Sequence, residues 1–253
     1  MKIFSFGGGV QSTAVLVLQA QGVLNYDEFV FVNVGDDSEN PATLEYIEKY
    51  SKPYAAAHGI KLVEIGSPRK DGKTLYQYVM DAKRGTGMVV YMSGGMPGNR
   101  DCTVQFKIKN IQRYMKRQGH RDYITGIGIS LDEYQRMRDD PDKEYPLIDL
   151  RISRAECHRV ILDAGLPTPP KSSCWFCPFQ SLNAWRNMRQ NNPDMFQRAV
   201  ELERTLIERR AMLGKDACYL TRFGRPLDHV FGDQLSFTFP DTAEVCESGY
   251  CMV

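Results

Sequence analysis

Lys2-Ile3-Phe4-Ser5-Phe6-Gly7-Gly8-Gly9-Val10-Gln11-Ser12-Thr13-Ala14 decides how the rest of the chain is read. Lys2 to Phe6 is rich in β-formers and predicts a short strand. From Ser12 onward, Val15, Leu16 and Leu18 predict a helix. The glycines between them let backbone N–H groups approach a bound group, because no Cβ stands in the way. The helix start adds free N–H donors and a partial positive charge. Ser12 and Thr13 add hydroxyls that cap the helix or donate to an anion. Strand, glycine turn and helix start together form a phosphate cradle. Its candidate residues are Ser5, Phe6, Gly7, Gly8, Gly9, Gln11, Ser12 and Thr13.

Working outward, Glu28 to Val34 is an almost unbroken apolar run, as expected of a parallel strand buried on both faces. The loop Asn33-Val34-Gly35-Asp36 follows, with Glu39 and then Pro41 opening a helix that runs to about His58. Leu44, Ile47 and Tyr54 are its inward positions. Lys61 to Ile65 predicts a third strand and Asp122 to Ile127 a fourth. Alternating strands and helices predict an α/β fold with a doubly wound, mostly parallel, Rossmann-like sheet. Ligands bind such sheets beyond the carboxyl ends of the strands, where the Gly7 and Gly35 loops fall. Asn33 and Gly35 are therefore candidates to meet a nucleotide, and the acidic Asp36 and Glu39 to meet a ribose or a metal.

Ser67 to Lys73 reads as a charged turn, and Thr74 to Lys83 as a helix. Gly85 to Gly98 is glycine-rich and reads as a mobile loop or lid. Arg100-Asp101-Cys102-Thr103 opens a basic helix to about Gln118, with Val104, Ile108, Ile111 and Met115 as its buried stripe. Arg113, Lys116 and Arg117 read as a solvated face. Arg100 and Lys107 flank Cys102, where they neutralise a phosphate or a metal cluster. Gly126-Ile127-Gly128-Ile129-Ser130 is a second flexible turn, followed by Glu133 and Arg136 on a helix. Pro146 to Leu150 reads as extended, and Ser153 with Glu156 as a capping box on a helix holding Cys157. Helices at about 181–190 and 194–213 follow, the second burying Phe196, Ala199, Val200, Leu206 and Ile207. Its Glu/Arg side reads as solvated, and the rest to Pro240 as loops.

With 253 residues, 42% hydrophobic content and 25% charge, the chain is long enough for a large core. A net charge of +1 does not imply general affinity for nucleic acid. The chain enters its first strand at Lys2, and no apolar run approaches the ~20 residues of a membrane span, so a cytoplasmic location is expected. Seven cysteines argue for metal or redox chemistry rather than a disulfide framework. Cys174-Trp175-Phe176-Cys177 places two thiols where both reach one metal centre, and Cys102 and Cys157 complete a four-thiolate set. Such a set takes tetrahedral zinc or a [4Fe–4S] cluster, and spacing does not distinguish them. The expected organisation is a nucleotide-binding α/β domain over 1–165, a Cys-x-x-Cys and helical part over 166–240, and a flexible tail over 241–253 carrying Cys246 and Cys251.

The loop is neither a Walker motif nor a dinucleotide Gly-x-Gly-x-x-Gly. It resembles the pyrophosphate loop (PP-loop) of the adenine nucleotide α-hydrolase superfamily, Ser-Gly-Gly-x-Asp-Ser. Gly8, Gly9 and Ser12 match; Gly7 replaces the serine and Gln11 the aspartate to which a magnesium role attaches. With the Asn33–Asp36 loop, Glu39 and Thr43, Arg100-Asp101-Cys102-Thr103, Gly126-Ile127 with Glu133 and Arg136, and the Cys174/Cys177 pair, the order resembles phosphoadenosine phosphosulfate reductases and their relatives. The resemblance covers about residues 1–180 and the cysteine-bearing tail. It implies an adenine nucleotide such as ATP, with magnesium as a candidate ion, on the loop residues together with Arg100, Lys107, Gly126 and Arg136. It favours iron–sulfur over zinc on Cys102, Cys157, Cys174 and Cys177. It further implies reduction of a sulfonucleotide or ATP-dependent sulfur transfer, with Cys251 as nucleophile and Cys246 as resolving thiol. Its partners would be a thiol reductant or sulfur donor protein, and nucleic acid only as a thiolation substrate. The contrasting expectation is a zinc-stabilised nucleotide-binding module without catalysis.

Overall fold

The computed structural model describes residues 1–66 and 71–232. Ser67 to Lys70 of the expected charged turn lie outside that range, as do the expected tail and its Cys246 and Cys251. The described residues form two compact units. The first comprises Met1–Thr74 and Gln105–Trp175; the second comprises Leu75–Val104 and the residues from Phe176 onward.

The first unit holds a five-stranded sheet. β1 (Lys2–Phe6), β2 (Glu28–Val32), β3 (Leu62–Ile65), β4 (Ile124–Ile127) and β5 (Lys143–Glu144) lie in the order β3-β2-β1-β4-β5, and every pair is parallel. The register sets Phe4 beside Phe29 and Gly126, and Ile3 beside Thr125. Period-2 alternation then sorts the apolar side chains onto two faces. Phe4, Phe6, Phe29 and Phe31 share one cluster with Val15 and Leu16 of α1 (Val10–Ala20), Ile47, and Ala55. Ile3, Val30 and Val32 share the other with Ile111 and Met115. Burying each such side chain contributes roughly 1.5–3 kcal/mol. With both faces covered, the sheet is doubly wound, and every residue of β2 is buried.

One helix runs over its expected length with a π-helical turn inside it, and two other elements depart from the sequence reading. The helix from Pro41 is continuous through α2 (Pro41–Tyr46), a π-helical turn (Ile47–Ser51) and α3 (Lys52–Ala57). The basic helix likewise opens with a π-helical segment, Thr103–Ile108, before α4 (Lys109–Arg117). Its wider turn rotates the inward face, so Phe106, Asn110 and Tyr114 are buried and Val104 is 42% exposed. Pro146–Asp149 is a helical turn rather than an extended segment, because Pro146 occupies a first-turn position. Ser153 and Glu156 do form the expected capping box, opening α5 (Arg154–Asp163).

In the second unit, helices Leu182–Asn191 and Pro193–Met212 stand close to their expected ranges. Ile207 is half-buried, whereas Glu203 and Arg209, expected in water, are buried. Arg209 donates to the carbonyls of Val79 and Met80 at 2.8 and 2.7 Å. Glu203 accepts the N–H groups of Leu220 and Leu227 at 2.7 and 2.5 Å. The segment expected to be a lid is also anchored: Met88, Val89 and Val90 are buried, and Tyr91–Met92 pairs antiparallel with Cys218–Tyr219. Among the described residues no helix is long and apolar enough to cross a membrane.

Candidate functional site

β1 lies between β2 and β4, and the chain leaves it toward β2 first and β4 later. That makes the crevice beyond β1 the switch point where doubly wound sheets bind ligands. Gly7, Gly8 and Gly9 form its floor. Gly8 has φ +73°, and a Cβ there would stand 2.7 Å from Ile47 Cδ1. A Cβ on Gly9 would stand 2.5 Å from Ser172 Oγ. The Gly9 N–H donates to Ser12 Oγ at 3.1 Å, and that hydroxyl donates to Gly9 O at 3.0 Å. The first turn of α1 carries no acidic residue, and its N-cap Gly9 has no side chain to cap it. Thr13 is fully buried, and its Oγ1 has no hydrogen-bond partner among the described residues. An open helix start and an unspent buried hydroxyl suit an incoming anion. Phe6, by contrast, packs its ring edge-on to Phe29 and offers the loop only its backbone.

Gln11 sits within a charged network. Its amide nitrogen donates to Glu133 at 3.1 Å, and its oxygen accepts from Arg154 Nη1 at 3.0 Å. Glu133 also pairs with Arg136 at 2.7 Å, both nearly sealed from solvent. Two guanidinium groups and one carboxylate therefore surround the position where the resembling loops carry aspartate. Arg154 is not among the sequence candidates, because its link to Gln11 spans 143 residues.

On the other side of β1, Asn33 organises the second loop. Its Nδ2 donates to Asp36 at 2.7 Å and Glu64 at 2.8 Å, and its Oδ1 accepts from Gly35 N–H at 2.9 Å. Gly35 has φ +128°, and a Cβ there would collide with Thr74. Asp36 is exposed, while Glu39 is 2% exposed. The stretch from Pro167 to Trp175 is clamped across this loop. Tyr46 Oη donates to Pro167 O at 2.6 Å, Asn40 N–H to Ser173 O at 3.1 Å, and Trp175 Nε1 to Asp37 O at 2.7 Å. Glu39 and Cys174 form an antiparallel bridge. Burial raises the Tyr46 phenol to about 12, so it stays a donor. The clamp carries Ser172 to the glycine loop and Cys174 to the Glu39 strand edge.

Two expected site residues stand elsewhere. Gly126 lies inside β4, and a Cβ there would stand 2.3 Å from Tyr26 Oη. Its lack of a side chain admits Tyr26 to the core. Gly128 lies instead against Gln11 Cβ and Ser12 N, each 3.5 Å from where its Cβ would be. Cys157 is fully buried in the apolar cluster beside Ile161, and burial raises its thiol to about 12. A thiol so held does not suit a thiolate ligand. Cys174 is half-buried in the first unit; Cys102 and Cys177 are half-buried in the second. Arg100 is also in the second unit, its guanidinium 4.7 Å from the Phe179 ring centre. Lys107 is half-buried in the first. Among the described residues, no group of three or more His, Cys, Asp or Glu side chains converges as a metal site.

No protein-family model matches the chain, and a search of curated proteins returns no match. Solved structures do match. One is the U34-tRNA thiolase NcsA from Methanococcus maripaludis with its [4Fe-4S] cluster. It is 16% identical with a TM-score of 0.46, over 80% of this chain and 70% of that one. At that distance the likeness carries no argument about chemistry, which rests on the residues above.

Proposed function

We propose that the crevice beyond β1 binds an adenine nucleotide, and that the chain is an enzyme performing iron–sulfur-dependent sulfur chemistry on it or with it. The observation that carries the reading is the open start of α1: glycines whose Cβ positions are filled by neighbours, no acidic residue, and an unspent buried Thr13 hydroxyl. The nucleotide's phosphate or sulfate would lie on the Gly8–Gly9 backbone and the Ser12 and Thr13 hydroxyls. Arg136 and Arg154 would supply charge from the Gln11 network. Asn33, Asp36 and Glu39 would face the nucleoside.

The cysteine chemistry supports three of the four expected ligands. Half-buried Cys102, Cys174 and Cys177 suit iron, and Cys157 does not. A [4Fe–4S] cluster with Cys174 and Cys177 of the Cys-x-x-Cys pair among its ligands would supply a soft, redox-active centre for sulfur. Sulfonucleotide reduction and sulfur transfer to a nucleotide are the two reactions such cysteines would serve, with Cys251 as the nucleophile and Cys246 resolving it. A thiol reductant or sulfur donor protein would complete the reaction, in the cytoplasm.

Anaerobic purification followed by iron analysis and calorimetry tests this reading. Absorbance near 400 nm is expected in the wild type and in Cys157→Ala, and is lost in Cys174→Ala and Cys177→Ala. ATP and adenosine phosphosulfate titrations should give saturable heat. A colourless protein that retains zinc, or one that binds neither nucleotide, sinks the reading.

A further inference from the structure

The α4 side of the same sheet carries a feature that a nucleotide site does not use. Between Thr103 and Arg121 the chain places Lys107, Lys109, Arg113, Lys116, Arg117 and Arg121 with no Asp or Glu, although the whole chain is almost balanced at 32 basic and 31 acidic residues. Lys116 and Arg117 end α4, where cations complement the helix dipole. That accounts for two charges and leaves Arg121 and His120 unexplained. All four are exposed, and none of their side chains makes a hydrogen bond or ion pair among the described residues. Lys109 by contrast donates to Gln105 at 2.9 Å.

Lys116, His120 and Arg121 line a cavity of about 700 Å³ between α4 and the β4–β5 edge of the sheet, and Arg117 stands beside Lys116 on the helix. That volume lies within the ~300–1,000 Å³ range of small-ligand sites. Ile111, Ile127 and half-buried Tyr123 line it as well, and Asp122 follows Arg121 in the lining. The facing side carries Asp140 and Asp142 on the approach to β5. Asp140 is committed to Lys143 at 2.8 Å, whereas the Asp142 carboxylate makes no hydrogen bond among the described residues. Tyr123 and Thr125, toward the amino end of β4, line the cavity together with Ile127 at its carboxyl end, on the α4 side of the sheet.

We infer that this groove binds a single-stranded RNA segment. The free Lys116, Arg117 and Arg121 side chains take successive phosphates, and an unstacked base enters the cavity against Tyr123. The carboxylate opposite is what selects RNA. Asp142 repels phosphate, so it orients the backbone toward the cationic rim, and it accepts a hydrogen bond from a ribose 2′-hydroxyl that DNA lacks.

Fluorescence anisotropy with a labelled oligouridylate of about 12 nucleotides, and with its deoxyuridylate counterpart, tests this on the full chain. RNA should bind more tightly than DNA. The triple variant Lys116→Gln, Arg117→Gln, Arg121→Gln changes only exposed side chains. It should weaken RNA binding at least about tenfold. The slope of log K on log salt should fall by about 2, at roughly 0.7 for each phosphate that is no longer neutralised. Asp142→Asn should narrow the RNA–DNA difference. Unchanged RNA affinity in the triple variant overturns the proposal. Equal binding of the two oligonucleotides, or equally tight binding of polyglutamate, overturns it as well. ATP calorimetry on the same triple variant should match wild type, which separates this groove's outcome from that of the nucleotide site.

Discussion

The first turns of α1 and α5 belong to the same unit and treat the same problem in opposite ways. Every α-helix begins with N–H groups that lack intrahelical partners. At α5 the chain supplies them itself: Ser153 Oγ accepts from Glu156 N–H at 3.3 Å, and the Glu156 carboxylate accepts from Ser153 N–H at 2.7 Å. Those bonds hold the Glu156 carboxyl below its usual range and place a negative charge on the helix start. At α1 there is a glycine cap, no acid, and hydroxyls spent on the loop or on nothing. A third solution appears in the second unit. The short helix Leu227–Val230 has its first N–H taken by Glu203, a residue 24 positions earlier. A helix start that the chain caps is structural; the one that it leaves open, beside Gly8 and Gly9 where a Cβ does not fit, is where the proposed anion would lie.

The largest effect is expected from closing the open start. Gly9→Val drives its side chain into Ser172 and displaces the backbone from the phosphate position. Nucleotide binding should fall by more than about 100-fold in calorimetry while the circular dichroism of the sheet persists. Retained affinity would place the anion elsewhere and remove the contrast between α1 and α5.

The remote cap gives the next largest effect. Burial raises the Glu203 carboxyl from its ordinary 4.5 to about 7, against the opposing pull of its two backbone donors. The folded chain therefore holds a proton that the unfolded chain releases between pH 4.5 and about 7. Stability from this group is complete below 4.5 and declines as pH rises through that window, by on the order of 3 kcal/mol. Glu203→Gln removes the titration but turns an amide N–H₂ toward a backbone donor. Its melting temperature should be lower than wild type at pH 5 and lose its steep dependence between pH 5 and 7. A wild type whose stability is flat across that window would mean that the cap is ionised throughout.

The smallest effect sharpens the comparison from the closed side. Ser153→Ala should cost about 1 kcal/mol in urea denaturation and leave nucleotide affinity unchanged. A loss of affinity there would tie α5's cap to the site, through Arg154 and its bond to Gln11.

What was legible in the sequence was what neighbours in the chain decide. The strand–glycine–helix opening, the parallel sheet and the Ser153–Glu156 box all rest on interactions within a few residues or on the pattern of short segments. Glu203 and Arg209 read as solvated because their surroundings on the helix are charged, while their partners lie up to 130 residues away. Gly126 and Gly128 look alike on paper; only the position of Tyr26, a hundred residues earlier, makes the first a packing site and leaves the second at the loop. Cys157 carried a usable signal, since it stands one turn before Ile161 on the buried face of α5. The grouping of Leu75–Val104 with the residues from Phe176 onward had no local mark, because the pairing of Tyr91 with Tyr219 is non-local.

The clamp over the Gly35 loop also sets a schedule for the molecule's assembly. Its bonds join Tyr46 to Pro167, Thr43 to Lys171 and Trp175 to Asp37, across 121, 128 and 138 residues. Pairings at such separations bear the loop-closure entropy of everything between them and slow the folding they complete. A chain emerging from the ribosome can pair β1 with β2 as soon as both are made, yet its crevice stays open on one side until Trp175 has been synthesised. The nucleotide binding proposed for the crevice would therefore begin only after Trp175 has been made.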